Sequence, residues 1–335
     1  MSETETSEPE HLPEVLLTQK PTLFALYGED SFTSNKFRYL KTYESSLPLH
    51  QFLTTHAHSV QAILSSVNAP VTVDILRHLP NMRVVVTTSA GLDQIDHPEC
   101  RRRRIKCRRR GIKVTNSGTV YSADVADLAV GLLIDVMRNI SVSNCRVKQG
   151  LWSTNGDYDY PLGFKLRGKR VGIVGLGKVG SEVAKRLEGF GCDVSYNSRK
   201  QKPRVPYPFY EGVLELAADS DALIVCCGLT DQTHHLVNKE VLSALGKEGI
   251  VVNVGRGAII DEKEMVRCLM EGEIAGAGLD VFENEPDIPA DLLALDNVVL
   301  SPHCATFTSE SLKDLSELVV GNLEAFFTKR PLLSD

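Results

Sequence analysis

Residues 170–187 read RVGIVGLGKVGSEVAKRL. The apolar run from Arg170 to Val174 leads directly into Gly175, Gly177 and Gly180, and the next apolar residues, Val183, Ala184 and Leu187, have helical spacing. Strand, glycine turn and helix in that order form a βα unit of the kind that cradles a dinucleotide. The first glycine permits the tight turn, the second lets a pyrophosphate reach backbone N–H groups, and the third lets helix and strand pack closely. The helix start then turns its unpaired N–H groups toward the phosphates. Gly175, Leu176, Gly177, Lys178, Val179 and Gly180 are therefore candidate cofactor contacts. A plain glycine-rich turn is the alternative, and the correct flanks disfavour it.

The same grammar extends in both directions. Downstream, RVGIVG is followed by DVSYN, ALIVCC, GIVVNVG, IAGAGLDV and VVLSPH, about six apolar runs in all, which suit a parallel sheet covered on both faces. Upstream, from Glu14 to Thr115, the runs EVLLT, AILSS and MRVVVTTSAG alternate with helical patterns. Between them, Val125, Leu128, Ala129, Leu132, Leu133, Val136, Met137 and Ile140 mark an amphipathic helix that must pack against something large. Asp261 and Glu264 are placed as an N-cap and its N3 partner, ahead of Met265, Val266 and Leu269. Ser309 to Lys329 reads as a long amphipathic helix ending before Pro331, able to return to the first domain.

The strand after the glycine loop selects the dinucleotide. An NAD site usually ends this strand with an acid for the ribose 2′-hydroxyl, whereas this chain offers Asn197, Ser198, Arg199 and Lys200. A 2′-phosphate gains charge-assisted bonds from Arg199 and a hydroxyl bond from Ser198, so NADP(H) is expected over NAD(H), with NAD(H) possible. Plain surface charge at Arg199 and Lys200 is the competing account. Farther along, ligands of open α/β sheets gather at the carboxyl ends of the strands, and Arg256, Glu285 and His303 stand at three such ends. Each alone reads as an ordinary solvated or structural residue. Together they fit a reductase, in which His loads a proton onto a nascent alkoxide, a carboxylate favours the protonated ring, and Arg grips an anionic substrate.

Taken in order, GLGKVG, NVGRGAIIDEKEMV, GAGLDVFENEP and SPH resemble the D-isomer specific 2-hydroxyacid dehydrogenase family over nearly the whole chain. The likeness is strongest to its hydroxypyruvate, glyoxylate and hydroxyphenylpyruvate reductase branch, of plant cytosolic type. It implies that Arg256 binds the substrate carboxylate and polarises the keto group, that His303 is the general acid, and that Glu285 pairs with His303. It places Asp280 against the nicotinamide carboxamide, and Cys227, Gly228, Val254 and Gly255 along the cofactor. In the first domain it assigns the amides of Ala90 and Gly91, in the loop Ser89 to Asp93, to the substrate carboxylate. Ala90 replaces the usual larger residue, and Cys304, Ala305, Thr306 and Phe307 replace a small, Gly-rich stretch after the histidine. Trp152 falls where family members form a homodimer, although a buried local anchor explains it equally well.

Composition narrows the remaining classes. The 335 residues are 42% hydrophobic and 24% charged, ordinary for a globular chain of about two domains. The net charge of −6 gives no general attraction to nucleic acid or acidic membranes, and no apolar run approaches a membrane span. The eight cysteines contain no CxxC pair, so reduced thiols are expected and no metal ligands are assigned. Cys304 beside His303 suggests a thiol nucleophile, but neighbours on a strand point to opposite faces. A tandem repeat, CRRRRIK at 100–106 and CRRRGIK at 107–113, extends a helix by two turns. Its arginines read as a solvated helix end more readily than as a nucleic-acid patch, since no recognition module accompanies them.

These readings predict an α/β chain of two doubly wound domains. A Rossmann cofactor domain, 121–304, is inserted in a flavodoxin-like substrate domain, 13–120 and 305–335, behind a flexible acidic tail, 1–12. The cleft between them is expected to close on hinges near Tyr121 and Ser301. The expected activity is NAD(P)H-dependent reduction of a small 2-keto acid in the cytoplasm, without membrane or nucleic-acid partners. A nucleotide-sensing binding protein with little turnover is the alternative, and the intact Arg256, Glu285 and His303 set speaks against it.

Overall fold

Short parallel strands joined by helices make up both halves of the chain, in a computed structural model that describes residues 12–21, 24, 36–66, 69–106, 112–152 and 162–334. The acidic residues 1–11 and most of the second arginine repeat, 107–111, lie outside the described residues. The chain divides into one unit formed by Met1–Val120 with Ser309–Asp335, and another formed by Tyr121–Thr308.

The first unit contains β1 (Glu14–Leu17), β2 (Arg38–Lys41), α1 (Leu49–His56), β3 (Ala62–Ser65), α2 (Val73–Arg77), β4 (Val84–Thr87), α3 (His97–Lys106) and β5 (Lys113–Thr115). Its strands lie in the order β2-β1-β3-β4-β5, all parallel, the flavodoxin-like arrangement. Leu16, Ile63 and Val85 share one buried cluster with Leu53, Leu76 and Leu79 from the flanking segments, and Val15, Leu17, Leu64 and Val86 on the opposite face are buried as well, so cover on both faces explains the uninterrupted apolar runs. In α3, Glu99 is buried and accepts both forks of Arg102, so one arginine of the basic run turns back onto its own helix.

The second unit begins with α4 (Ser122–Arg138) and α5 (Ile140–Lys148), then β6 (Arg170–Val174), α6 (Lys178–Gly189), β7 (Asp193–Asn197), β8 (Phe209–Tyr210), α7 (Val213–Ala218) and β9 (Ala222–Val225). It continues with α8 (Lys239–Leu245), β10 (Ile250–Asn253), α9 (Glu262–Met270), β11 (Gly276–Leu279), α10 (Ala290–Leu293) and β12 (Val298–Leu300). The seven strands run β12-β11-β10-β9-β6-β7-β8, and the order reverses at β6, where the glycine loop leaves the sheet. Alternate residues feed two cores: Ile173, Ile224 and Val252 on one face, Val174, Val225 and Val251 on the other. The stripe on α4 lies against this sheet, close enough that a β-carbon at Gly278 would come within 2.9 Å of Leu132 Cβ. The chain returns to the first unit as α11 (Ser309–Phe327), which buries Leu312, Leu315, Val319 and Leu323.

Several details depart from the sequence reading. The α4 stripe stops at Arg138, because Asn139 adopts φ 53° and turns the chain, leaving Ile140 50% exposed. The seventh strand, β8, is two residues long and follows Pro206 and Pro208, which hide it from a search for apolar runs. At α9, Asp261 caps the N–H of Glu264 as expected. The reciprocal half of the box is missing, because the Asp261 N–H already donates to Val237 O and the Glu264 carboxylate turns to Arg267. The run VVLSPH is strand only to Leu300.

Candidate active site

The glycine loop fits the pyrophosphate of a dinucleotide, and each glycine has its own reason. Gly175 holds φ 100°, and a β-carbon there would come within 2.7 Å of Cys227 Cα. At Gly180 a β-carbon would come within 2.2 Å of Gly175 O, so only glycine allows α6 this close to the turn. At Gly177 it would meet nothing within 4 Å, which leaves the backbone open on the side a phosphate approaches. Lys178 is exposed at the helix start and Val179 half-buried. The Leu176 side chain is 1% exposed and belongs to the core, so within this loop it is the backbone of Leu176 that is open to a ligand.

At the end of β7, Arg199 and Lys200 are exposed, whereas the amide of Asn197 donates to Tyr210 O and Glu211 O and so ties β7 to the β8 segment. The Ser198 hydroxyl, expected to donate to a phosphate, donates instead to Lys200 O at 2.7 Å. Cys227 lies under the glycine loop, where burial pushes its thiol up to about 11 and keeps it protonated. Gly228 opens a turn that Thr233 closes by donating to its carbonyl. Val254 and Gly255 follow β10, and Asn253, which sequence reasoning missed, sets their course. Its side chain accepts from the Gly255 N–H and donates to Arg256 O.

The three candidate catalytic side chains follow the carboxyl ends of neighbouring strands β10, β11 and β12. Arg256 directs Nη1 to Gly255 O at 2.8 Å. The next residue, Gly257, is also required, because a β-carbon there would overlap the Phe282 backbone at 1.9 Å. That contact draws the loop carrying Glu285 against the loop carrying Arg256. His303 Nδ1 lies 2.7 Å from Glu285 Oε2, both side chains about a third exposed at 29% and 31%. Burial pushes the Glu285 carboxyl upward, but hydrogen bonds from His303 and the Phe282 N–H, with the charges of His303 and Arg256, outweigh it and hold the group below the ordinary carboxylate range.

His303 does not lie on a strand. It adopts φ 51° in a turn whose N–H donates back to Ser301 O. The opposite-face argument about Cys304 therefore does not apply. The Cys304 thiol is paired with Ser301 Oγ at 3.1 Å, whereas the imidazole is paired with Glu285. Asp280 is buried at 1% exposure.

Ala90 and Gly91 lie in the loop after β4 of the first unit, with Ala90 exposed and Gly91 half-buried. Trp152 is 77% exposed, which rules out the buried anchor. A grouping absent from the sequence reading, His234, His235 and Glu283, brings donor atoms within 4.8 Å of one another, a spacing open to a metal ion. His235 Nε2 and Glu283 Oε1 are 3.1 Å apart, and their separation by 48 residues gave no sequence signal. Among the described residues, no helix is long and apolar enough to cross a membrane.

Comparison with known proteins identifies the family. Residues 130–305 match the model of the D-isomer specific 2-hydroxyacid dehydrogenase NAD binding domain. The chain is 52% identical over 331 residues to a glyoxylate/hydroxypyruvate reductase of Arabidopsis thaliana, covering 98% of each. It is 46% identical over 283 residues to the hydroxyphenylpyruvate reductase of Plectranthus scutellarioides, covering 84% of this chain and 87% of that one. Among solved structures, an NADPH-dependent glyoxylate/hydroxypyruvate reductase from Sinorhizobium meliloti, in complex with NADP and malonate, matches with a TM-score of 0.84 and 34% identity over 96% of both chains. The chain is a member of the D-isomer specific 2-hydroxyacid dehydrogenase family.

Proposed function

We propose that this protein reduces a small 2-keto acid, of the glyoxylate, hydroxypyruvate or 4-hydroxyphenylpyruvate class, to the D-2-hydroxy acid, with NADPH preferred to NADH. The observation that carries the reading is the 2.7 Å His303–Glu285 pair beside Arg256, in the unit that also bears the glycine loop. Cofactor binding is assigned to the Tyr121–Thr308 unit and substrate recognition to the other, where the Ala90 and Gly91 amides are the proposed receptors for the substrate carboxylate.

A bound reduced nicotinamide supplies the hydride to the keto carbon. Arg256 holds the substrate anion and stabilises the negative charge that grows on the keto oxygen. His303 keeps Nδ1 on Glu285, so Nε2 is the ring atom that gives its proton to that oxygen. Glu285, held ionised below the ordinary carboxylate range, orients the ring through Nδ1, and the proton given up at Nε2 is replaced from solvent after each turnover. The glycine-loop amides and the start of α6 receive the pyrophosphate, and Arg199 with Lys200 receives a 2′-phosphate. Asp280 and the strand-end residues Cys227, Gly228, Val254 and Gly255 complete the wall assigned to the cofactor.

A homodimer is part of the same reading. No residue of α5 is buried, and Leu151 and Trp152 beyond it are 55% and 77% exposed, an apolar surface suited to a second copy of the chain. A cytoplasmic location fits the plant cytosolic resemblance.

The test is purified protein with NADPH or NADH and a panel of 2-keto acids, followed by cofactor absorbance. Turnover is expected with NADPH, and His303→Ala is expected to lower kcat by at least about 100-fold while leaving NADPH binding in place. Arg199→Ala is expected to reduce the NADPH-to-NADH ratio of kcat/KM roughly tenfold. Tight NADPH binding without turnover of any keto acid would replace the reductase by a nucleotide sensor.

A further inference from the structure

Outside the groups assigned to the reaction, the loop after β9 carries two adjacent histidines. His234 is exposed and His235 half-buried, and their rings stack with centroids 4.0 Å apart and planes 28° from parallel. Glu283 reaches them from the loop after β11, so that donor atoms of the three residues lie within 4.8 Å of one another and His235 Nε2 is 3.1 Å from Glu283 Oε1. A hydrogen bond between His235 and Glu283 accounts for two of these groups. It does not account for a second imidazole brought to the same carboxylate.

Two of the three are held by their backbone. His235 has φ 49°, in the left-handed region, and its N–H donates to Ala258 O at 2.9 Å. The chain then runs beside the loop after β10, where the Val237 N–H donates to Ile259 O and the Asp261 N–H donates to Val237 O. The Glu283 N–H donates to Oε2 of the buried Glu262 at 3.0 Å. Behind the His235 ring, Asp261 Oδ2 lies 3.9 Å from Nδ1, while its Oδ1 is anchored on the Glu264 N–H. A carboxylate behind one ring nitrogen is how a metal-binding histidine is oriented, since it draws the ring N–H to itself and leaves the other nitrogen free to bind the ion. Two imidazoles and one carboxylate suit zinc and its neighbours, whereas magnesium and calcium prefer oxygen ligands alone. Bonds of about 2.0–2.2 Å require the donors to close to roughly 3.4 Å, and the exposed His234 side chain has room to turn inward.

We propose that His234, His235 and Glu283 form a binding site for a divalent transition-metal cation of the zinc class, separate from Arg256, Glu285 and His303. Three protein ligands leave a fourth position to water. The ion fastens the loop that begins at Gly228 to the loop that carries Glu285, and the bonds to Ala258 and Asp261 bring in the loop after Arg256 as well. Its effect is to stabilise the Tyr121–Thr308 unit, and the proposal does not depend on the reductase reading.

The test uses the full chain after EDTA treatment, Zn²⁺ alone as the probe, and the variants His234→Ala, His235→Asn and Glu283→Gln. Asparagine is chosen at 235 because it tolerates a left-handed backbone. By isothermal titration calorimetry the parent is expected to bind one Zn²⁺ with a Kd in the micromolar range, weaker than closed four-ligand sites. At ten times that Kd its melting temperature should rise by about 3–6 °C, and Mg²⁺ at the same concentration should leave it unmoved. Each variant should lose about 100-fold in Zn²⁺ affinity, together with the melting shift, because even a change behind a ligand costs about 10- to 100-fold. Co²⁺ in the parent should give visible d–d bands without a thiolate charge-transfer band, as no sulfur belongs to the set. A thiolate band in their place moves the metal to a cysteine and overturns the proposal. So does Zn²⁺ binding equally tight in the parent and His234→Ala, or a parent that binds no Zn²⁺ below about 1 mM. If His235→Asn or Glu283→Gln does not fold, His234→Ala, altered only at an exposed side chain, decides alone.

Discussion

The carboxyl edges of the two sheets are built on opposite principles. In the second unit the polar side chains are paired: Asp280 takes three donors, Glu285 two, and Asn253 both gives and accepts. In the first unit, at the ends of β4 and β5, Ser89, Thr115 and Ser117 are 5% exposed or less, and their hydroxyls find no hydrogen-bond partner among the described residues. Gln94 is half-satisfied, donating to Thr87 Oγ1 while its carbonyl oxygen goes unpaired. A fully satisfied network is stiff, because moving any member strands another. The first edge is only partly paired: Ser65 donates to Ala69 O and Thr87 accepts from the Ser89 N–H and from Gln94, beside the unpartnered hydroxyls. The contrast teaches where side-chain precision is concentrated, and substitutions on the two edges should therefore differ in size and sign.

The largest effect is expected at Arg256. A lysine there keeps the charge but loses the planar fork, and the bond from Nη1 to Gly255 O that sets its direction. Arg256→Lys is predicted to lower kcat/KM about 100-fold or more, because a displaced point charge no longer meets the growing negative charge. Steady-state kinetics check it, and a loss smaller than fivefold would mean that this edge tolerates displacement after all.

How much of this was readable in advance depends on the range of the interaction. Gly175, Gly177 and Gly180 were legible because their roles are local, each set by the strand before and the helix after. Arg256, Glu285 and His303 were legible as types at strand ends, and the family resemblance supplied their roles. The hydrogen bonds that Asp280 accepts from Ser301, Cys304 and Ala305 were not legible: these partners lie more than 20 residues away, and the left-handed backbone at His303 leaves no trace in residue identity. Gly257 was passed over for the same reason, since its need for a missing β-carbon arises from Phe282 across a loop. Short β8 escaped because prolines mask it, and the end of the α4 stripe because one asparagine decides it.

Glu285 gives an intermediate effect with a pH signature. Its carboxyl titrates below the usual range in the folded chain, so it contributes stability above its unfolded value, and that contribution fades as pH falls through the lowered folded value. Glu285→Gln should remove this contribution, making the melting temperature less sensitive to acidification than in the parent as pH falls from neutrality toward the acid range. At neutral pH the same variant is predicted to lose roughly 10- to 100-fold in kcat, the worth of one charged hydrogen bond. Parallel melting curves for parent and variant across that range would contradict the paired-edge description.

The smallest effect belongs to the first unit and carries the opposite sign. Thr115 is 0% exposed and its hydroxyl has no partner among the described residues, so it bears a desolvation cost without a compensating bond. Valine has nearly the same shape and no hydroxyl. Thr115→Val is predicted to stabilise the chain by about 1 kcal/mol in thermal or denaturant unfolding. Ser301→Ala, which removes a paired hydroxyl at the other edge, should destabilise it. If Thr115→Val proves destabilising by a similar amount, a bound water satisfies the hydroxyl and the first edge is as fully paired as the second. The sign of this one substitution therefore decides whether the contrast between the edges lies in their chemistry or only in which partners are protein.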